Sequence, residues 1–215
     1  MKSTTDLPGP RTIKPSWRTF SVAVALSCIA GCSALPERSA LTSDSPPAVT
    51  LAPRALAPNF TAAGRVAARD TGDARRGFSG GFAWTHRPAE DVVELLTPLG
   101  QIAARMTVTT AGAEIELADG RRTFAADPER FLSDELGITL PVGALPNWLQ
   151  AVPLSKAAFR AEADALGRPT TLWQNGWEIQ YTAYADETTA AYPTRMQLAQ
   201  GTVEARLIIS EWSSR

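Results

Sequence analysis

Beyond Phe60 the apolar residues recur at every second position, and this alternation leaves few folds open. Phe78, Gly80, Phe82 and Trp84 share one parity, with Ser79, Gly81 and Ala83 between them. Ile102, Ala104, Met106 and Val108 repeat the pattern against Ala103, Arg105 and Thr107. Ile115 and Leu117 alternate with Glu114 and Glu116, and Trp177, Ile179 and Tyr181 with Glu178 and Gln180. Val203, Ala205, Leu207 and Ile209 alternate with Glu204 and Arg206. Strand side chains point alternately to opposite faces, so each segment puts one face on an apolar interior and the other in water. Asp119-Gly120 and Asn175-Gly176 read as two-residue hairpin turns, whose favoured form takes φ > 0 at both positions. Ala111-Gly112 and Gln200-Gly201 fall where two more reversals are needed. The expectation is a large antiparallel sheet in meander order.

The middle of the chain breaks the alternation. Asp127 is a good N-cap and Pro128 suits the first helical position, with Phe131, Leu132 and Leu136 at helical spacing before Gly137. Leu145 to Val152 carries a second short apolar run, with Pro146 near its start and Trp148 and Leu149 inside. These helices are expected to lie across one face of the sheet. A curved sheet with helices over its mouth encloses an apolar space.

The N-terminal segment reads differently. Lys2, Arg11, Lys14 and Arg18 precede an apolar run from Phe20 to Ala30, the length of a signal-peptide core and too short to span a bilayer. Ile29-Ala30-Gly31-Cys32 resembles a bacterial lipobox, in which the cysteine thiol takes a diacylglyceryl group and becomes residue one after cleavage. Ser33 in place of Asp resembles an outer-membrane address. Three segments follow: 1–31 as lipoprotein signal peptide, 32–59 as a flexible Ala/Pro/Ser tether, and 60–215 as the folded domain. As a random coil the tether's 27 or so residues reach roughly 25–30 Å.

Removing residues 1–31 from the 215 leaves 184, enough for one domain with a real core. It also takes 4 of the 21 basic residues and 1 of the 22 acidic ones, so 17 face 21 and the net charge is −4. A mildly acidic chain is suited neither to nucleic acid nor to electrostatic docking on anionic lipid. Cys28 lies in the signal and Cys32 is the acylation site, so no thiol remains for a disulfide or a metal, and no cofactor is expected.

Gly77-Phe78-Ser79-Gly80-Gly81 matches the G-x-S-x-G pattern of serine hydrolases. That chemistry needs a strand-to-helix elbow and a separate histidine. Here the pattern continues one strand, and the single histidine, His86, stands seven residues on, in the same strand or at its end. The glycines therefore read as bends or close backbone approaches. Thr97-Pro98-Leu99-Gly100 separates two strands and reads as a tight reversal. Its leucine is either tucked back onto the domain or held in solvent.

These features occur in a fixed order. Gly64-Arg65-Val66 is followed by Phe82-x-Trp84 and by the strand entering Thr97-Pro98-Leu99-Gly100-Gln101. Then come Leu140-Pro141-Val142, Leu145-x-x-Trp148-Leu149, Gly176-Trp177 with Tyr181, Pro193-x-Arg195-Met196 and Leu207-x-Ile209-x-x-Trp212. With the lipobox, this order resembles the LolB family, outer-membrane receptors of the bacterial lipoprotein-sorting system. The resemblance implies an incomplete antiparallel β-barrel with short helices covering its open side. It implies a monomeric, non-enzymatic protein, anchored through Cys32 and facing the periplasm. Such a receptor accepts cargo lipoproteins from the periplasmic carrier LolA and inserts their acyl chains into the inner leaflet of the outer membrane. Leu99, between Pro98 and Gly100, matches the exposed loop leucine that the family uses for release. Strand parity nominates Phe82, Trp84, Ile102, Met106, Trp148 and Leu149 as lining of the acyl cavity. The competing readings are a lipid-anchored module that binds a free lipid or another apolar ligand, and a carboxylate hydrolase.

Overall fold

A computed structural model describes residues 50–214. The signal segment, Cys32 and the tether up to residue 49 lie outside the described residues. Six strands come first: β1 (Phe60–Asp70), β2 (Asp73–Arg87), β3 (Glu90–Leu96), β4 (Ile102–Thr109), β5 (Gly112–Leu117) and β6 (Arg122–Ala125). Helices α1 (Pro128–Leu136) and α2 (Leu145–Trp148) follow. The chain closes with β7 (Phe159–Ala163), β8 (Pro169–Gln174), β9 (Trp177–Tyr184), β10 (Pro193–Gln200) and β11 (Val203–Ser214).

All the strands form one antiparallel sheet in the order β6-β5-β4-β3-β2-β1-β11-β10-β9-β8-β7. Two meanders are thus joined by pairing β1 with β11, for example Val66 with Leu207 and Ala68 with Ala205. The sheet is an incomplete barrel, open between β6 and β7, and the chain crosses from one edge to the other through the two helices. Phe82, Trp84, Met106, Ile115, Ile179, Leu198, Leu207 and Ile209 are buried on the core face.

Local chemistry explains the element ends. The Asp127 carboxylate accepts from the Arg130 amide at 3.0 Å, and Gly137 takes a left-handed conformation that stops α1. Asn175 and Gly176 both have positive φ, as a two-residue hairpin turn requires. The reversal at Asp119-Gly120 differs from that expectation. Only Gly120 has positive φ there, and the Leu117 amide donates to the Arg121 carbonyl, which makes a longer loop. The α2 run is shorter than its apolar pattern, because Ala151 turns the backbone to φ 56°.

Residues 51–58, which their composition assigns to the tether, bond to the domain. The Ala52 amide donates to the Gly167 carbonyl at 2.8 Å, and the Ala57 amide to the Gln150 Oε1 at 2.8 Å. The Arg54 guanidinium donates to the carbonyls of Gln150, Thr189 and Ala191 and stands over the Tyr184 ring. A Pro- and Ala-rich composition reads as loose chain, yet these backbone groups find partners on the domain.

Candidate functional site

The core face is filled in one half and hollow in the other. Beneath α2 it is filled. Trp148, Leu149, Leu172 and Ile179 are fully buried. The Trp148 indole donates to Gln174 Oε1 at 3.0 Å, and the Tyr181 hydroxyl donates to the Trp148 carbonyl at 2.9 Å. Burial holds that hydroxyl well above its ordinary pKa, so it remains a donor. Gln174 in turn ties down the backbone of Leu154 and Ala157.

Beneath α1 the face encloses a cavity of about 130 Å³. Its floor comes from Val66 and Ala68 of β1, Phe78, Phe82 and Trp84 of β2, and Ala205 and Leu207 of β11. Val93, Leu95, Ala104, Met106, Ile115, Leu117 and Leu198 form its wall, and Phe131, Leu132 and Glu135 of α1, with Leu140, Val142 and Leu145 of the segment that follows, its roof. Every lining residue except Glu135 is apolar. The hollow exists because Ala68 and Ala205, paired across β1 and β11, are both small where neighbouring positions carry large side chains.

Leu95, in the cavity wall, is four residues from the tip of the β3–β4 hairpin. There the Gly100 amide donates to the Thr97 carbonyl at 2.8 Å, and the Thr97 amide to the Gln101 carbonyl at 2.8 Å. Pro98 fixes the first turn position and Gly100 adopts φ 83°, so the turn is stiff. It holds Leu99 in solvent at 89% exposure. That answers the question left open by the sequence.

A family model for the outer-membrane lipoprotein LolB matches residues 58–212. The chain belongs to the LolB family. It is 37% identical to the outer-membrane lipoprotein LolB of Azoarcus sp. (strain BH72), over 87% of this chain and 93% of that one. It is 33% identical to the LolB of Dechloromonas aromatica (strain RCB), over 90% of this chain and 96% of that one. Among solved structures, a LolA superfamily protein from Nitrosomonas europaea is similar at 10% identity, with a TM-score of 0.49 over 75% of this chain and 88% of that one.

Membership in the LolB family places the chain among lipid-anchored outer-membrane lipoproteins with a receptor role, and not among enzymes. The local geometry agrees. Ser79 is exposed on the outer face of β2, whereas His86 lies on the core-facing parity and stacks on Phe60. One Asp91 oxygen accepts from the Trp84 indole at 2.6 Å and meets His86 Nδ1 at 2.7 Å. His86 is thus a packed, half-buried residue within β2. At Gly80 an added Cβ would stand 2.0 Å from the Leu96 carbonyl oxygen, so the glycine run is a close strand approach.

Of the residues nominated by parity, Phe82, Trp84 and Met106 line the cavity. Ile102 does not. The register slips between Leu95 and Leu96, where Ala104 and Ile102 are the successive partners, and Ala103 bulges out. One extra residue turns Ile102 to the outer face, 41% exposed. Trp148 and Leu149 belong to the filled half, away from the hollow. The sequence reading missed Phe131 and Leu132 as roof and the alanine pair as floor. The helical spacing of the first two was visible, but nothing local marks a small residue as the edge of a vacancy.

Proposed function

We propose that the chain receives the acyl chains of lipoproteins from the periplasmic carrier LolA into the space beneath α1 and releases them into the outer membrane through the Leu99 hairpin. The supporting observation is an apolar cavity placed at the same end of the sheet as a rigidly exposed leucine. Each buried CH₂ is worth about 0.8 kcal/mol, so a long acyl chain costs on the order of 10 kcal/mol in water. Transfer without an energy source therefore needs a route that stays apolar throughout.

The cavity, about 130 Å³, is near the size of an engineered hollow of about 150 Å³ that admits one benzene. An acyl chain requires it to widen, and α1 is the part that yields. No described side chain of α1 is buried, whereas Leu145, Pro146 and Trp148 of α2 are. Releasing Phe131 and Leu132 from half-burial costs about 3 kcal/mol together, well below what one acyl chain returns. Leu99 then enters the inner leaflet beside the emerging cargo.

The test is Leu99→Glu. The variant should fold, accept lipoprotein from loaded LolA, and retain it in the presence of vesicles. Delivery at the wild-type rate would refute the role of the hairpin. Native mass spectrometry after incubation with loaded carrier separates this function from capture of a free lipid.

A further inference from the structure

The Gly64-Arg65-Val66 motif contributes Val66 to the cavity, but Arg65 points the other way. On the outer face one row of paired residues runs Arg195, Ile208, Arg65, Gly81, Leu96, Ile102 across β10, β11, β1, β2, β3 and β4. Arg206 stands one step along, opposite Ala67. Arg65, Arg206 and Ile208 border a groove of about 450 Å³ whose opposite bank is Leu96, Thr97 and Pro98, the base of the Leu99 hairpin.

The charges on this face do not balance. In the flanking rows Glu94 and Glu204 are held by Arg105 and Arg69, which leaves Glu211, opposite Ala63, as one acid against three arginines. Arg65, Arg195 and Arg206 are exposed and form no ion pair among the described residues. Arg206 is diagonal to both others, at about 7–8 Å in such ladders, where like charges repel. An anion between them removes the repulsion, and guanidinium groups match phosphate with paired hydrogen bonds. The net charge of the chain is slightly negative, but the register collects a net positive group beside the hairpin.

We infer that this groove docks on the phosphate layer of a phospholipid bilayer, with Arg65, Arg195 and Arg206 on the phosphates and Ile208 and Leu96 against the glycerol and upper acyl region. The inference rests on the proposed insertion of Leu99, because the approach that buries the hairpin tip brings its outer bank to headgroup depth.

The test uses the lipid-anchored protein in vesicles of phosphatidylethanolamine and phosphatidylglycerol, with an NBD fluorophore on Ala67→Cys or, separately, on Leu99→Cys. The groove probe should shift to the blue and brighten at least twofold. It should stay water-like in vesicles of phosphate-free galactolipid. Arg65→Glu with Arg206→Glu should abolish the shift at 67 and leave that at 99. Should charge reversal unfold the protein, Arg65→Gln with Arg206→Gln makes the same comparison. A water-like groove probe in phospholipid, an equal shift in galactolipid, or a shift indifferent to the arginines overturns the inference. A water-like probe at 99 instead overturns the hairpin's role.

Discussion

Enlarging the cavity floor separates a hollow from a filled core. Ala205 is 2% exposed and pairs with Ala68 and Leu198, all three on the cavity lining. Ala205→Leu adds three carbons, worth about 2.4 kcal/mol if each is buried at about 0.8. Filling all of the 130 Å³ at about 24 cal/mol per Å³ gives about 3 kcal/mol, so the two routes agree. Strain from overpacking takes back about 1–3 kcal/mol. The variant should therefore lie within about 1 kcal/mol of wild type, a change in Tm of no more than about 4 °C. Ala113, fully buried but off the lining, is the control. Ala113→Leu has no space to fill and should cost the full strain of about 1–3 kcal/mol. Ala205→Leu should also accept lipoprotein from loaded LolA more slowly, while Ala113→Leu, where folded, should not. Equal destabilisation of the two variants would mean that the hollow is not real. Wild-type uptake by Ala205→Leu would mean that acyl chains bind elsewhere.

Two further outcomes test the bonds that hold the second meander. Trp148→Phe removes the indole donor to Gln174 and should cost about 1–2 kcal/mol in urea unfolding, with uptake unchanged because Trp148 is off the cavity wall. Slower uptake at matched folding would restore Trp148 to the acyl site. Asp164 accepts from the Arg168 side chain at 2.7 Å and from the amides of Leu166 and Arg168. Burial pushes its pKa up, but these bonds outweigh it and hold it below the ordinary 3.8. A depressed carboxylate stabilises fully above its unfolded value and fades as pH falls below it. Asp164→Asn should thus be less stable by about 1–2 kcal/mol at pH 7, with the difference shrinking below pH 4. A difference independent of pH would show that shape, not charge, is responsible.

The faces of the sheet were legible in the sequence because alternation is a local property. Phe82 and Trp84 on β2, Ile115 on β5 and Ile179 on β9 are buried on the side their parity assigns. So were the ends of α1, where Asp127 and Gly137 act through their nearest neighbours. What failed depends on insertions or on distance. A single bulge at Ala103 reverses every parity argument behind it, and so Ile102 was misplaced. The β1–β11 pairing joins residues at opposite ends of the domain, and no alternation reports a partner. The cavity is harder still, because it is a difference between the volume the sheet encloses and the volume its side chains supply. Leu99 was legible as a loop tip, but its exposure became definite only with the Pro98 and Gly100 geometry.

The two helices divide the work of the open side. Both cover apolar residues, but among the described residues only α2 is joined to the sheet through side-chain hydrogen bonds, from its indole to Gln174 and from Tyr181 to its carbonyl. Moving α2 leaves those buried groups unpaired, at about 1–3 kcal/mol for each. Among the described residues, α1 is held by the half-burial of Phe131 and Leu132 and by Glu129, which accepts from the Gly143 amide; in the proposed uptake an incoming acyl chain would replace that apolar surface with its own. Its termini help, since Asp127 and Gly137 cap the helix from within its own segment and keep it intact when lifted. The proposed uptake needs both a filled half that keeps the sheet in shape and a lightly held half that can open. A cavity permanently large enough for acyl chains would be a wet hollow in the empty protein, and a fully packed one would refuse them.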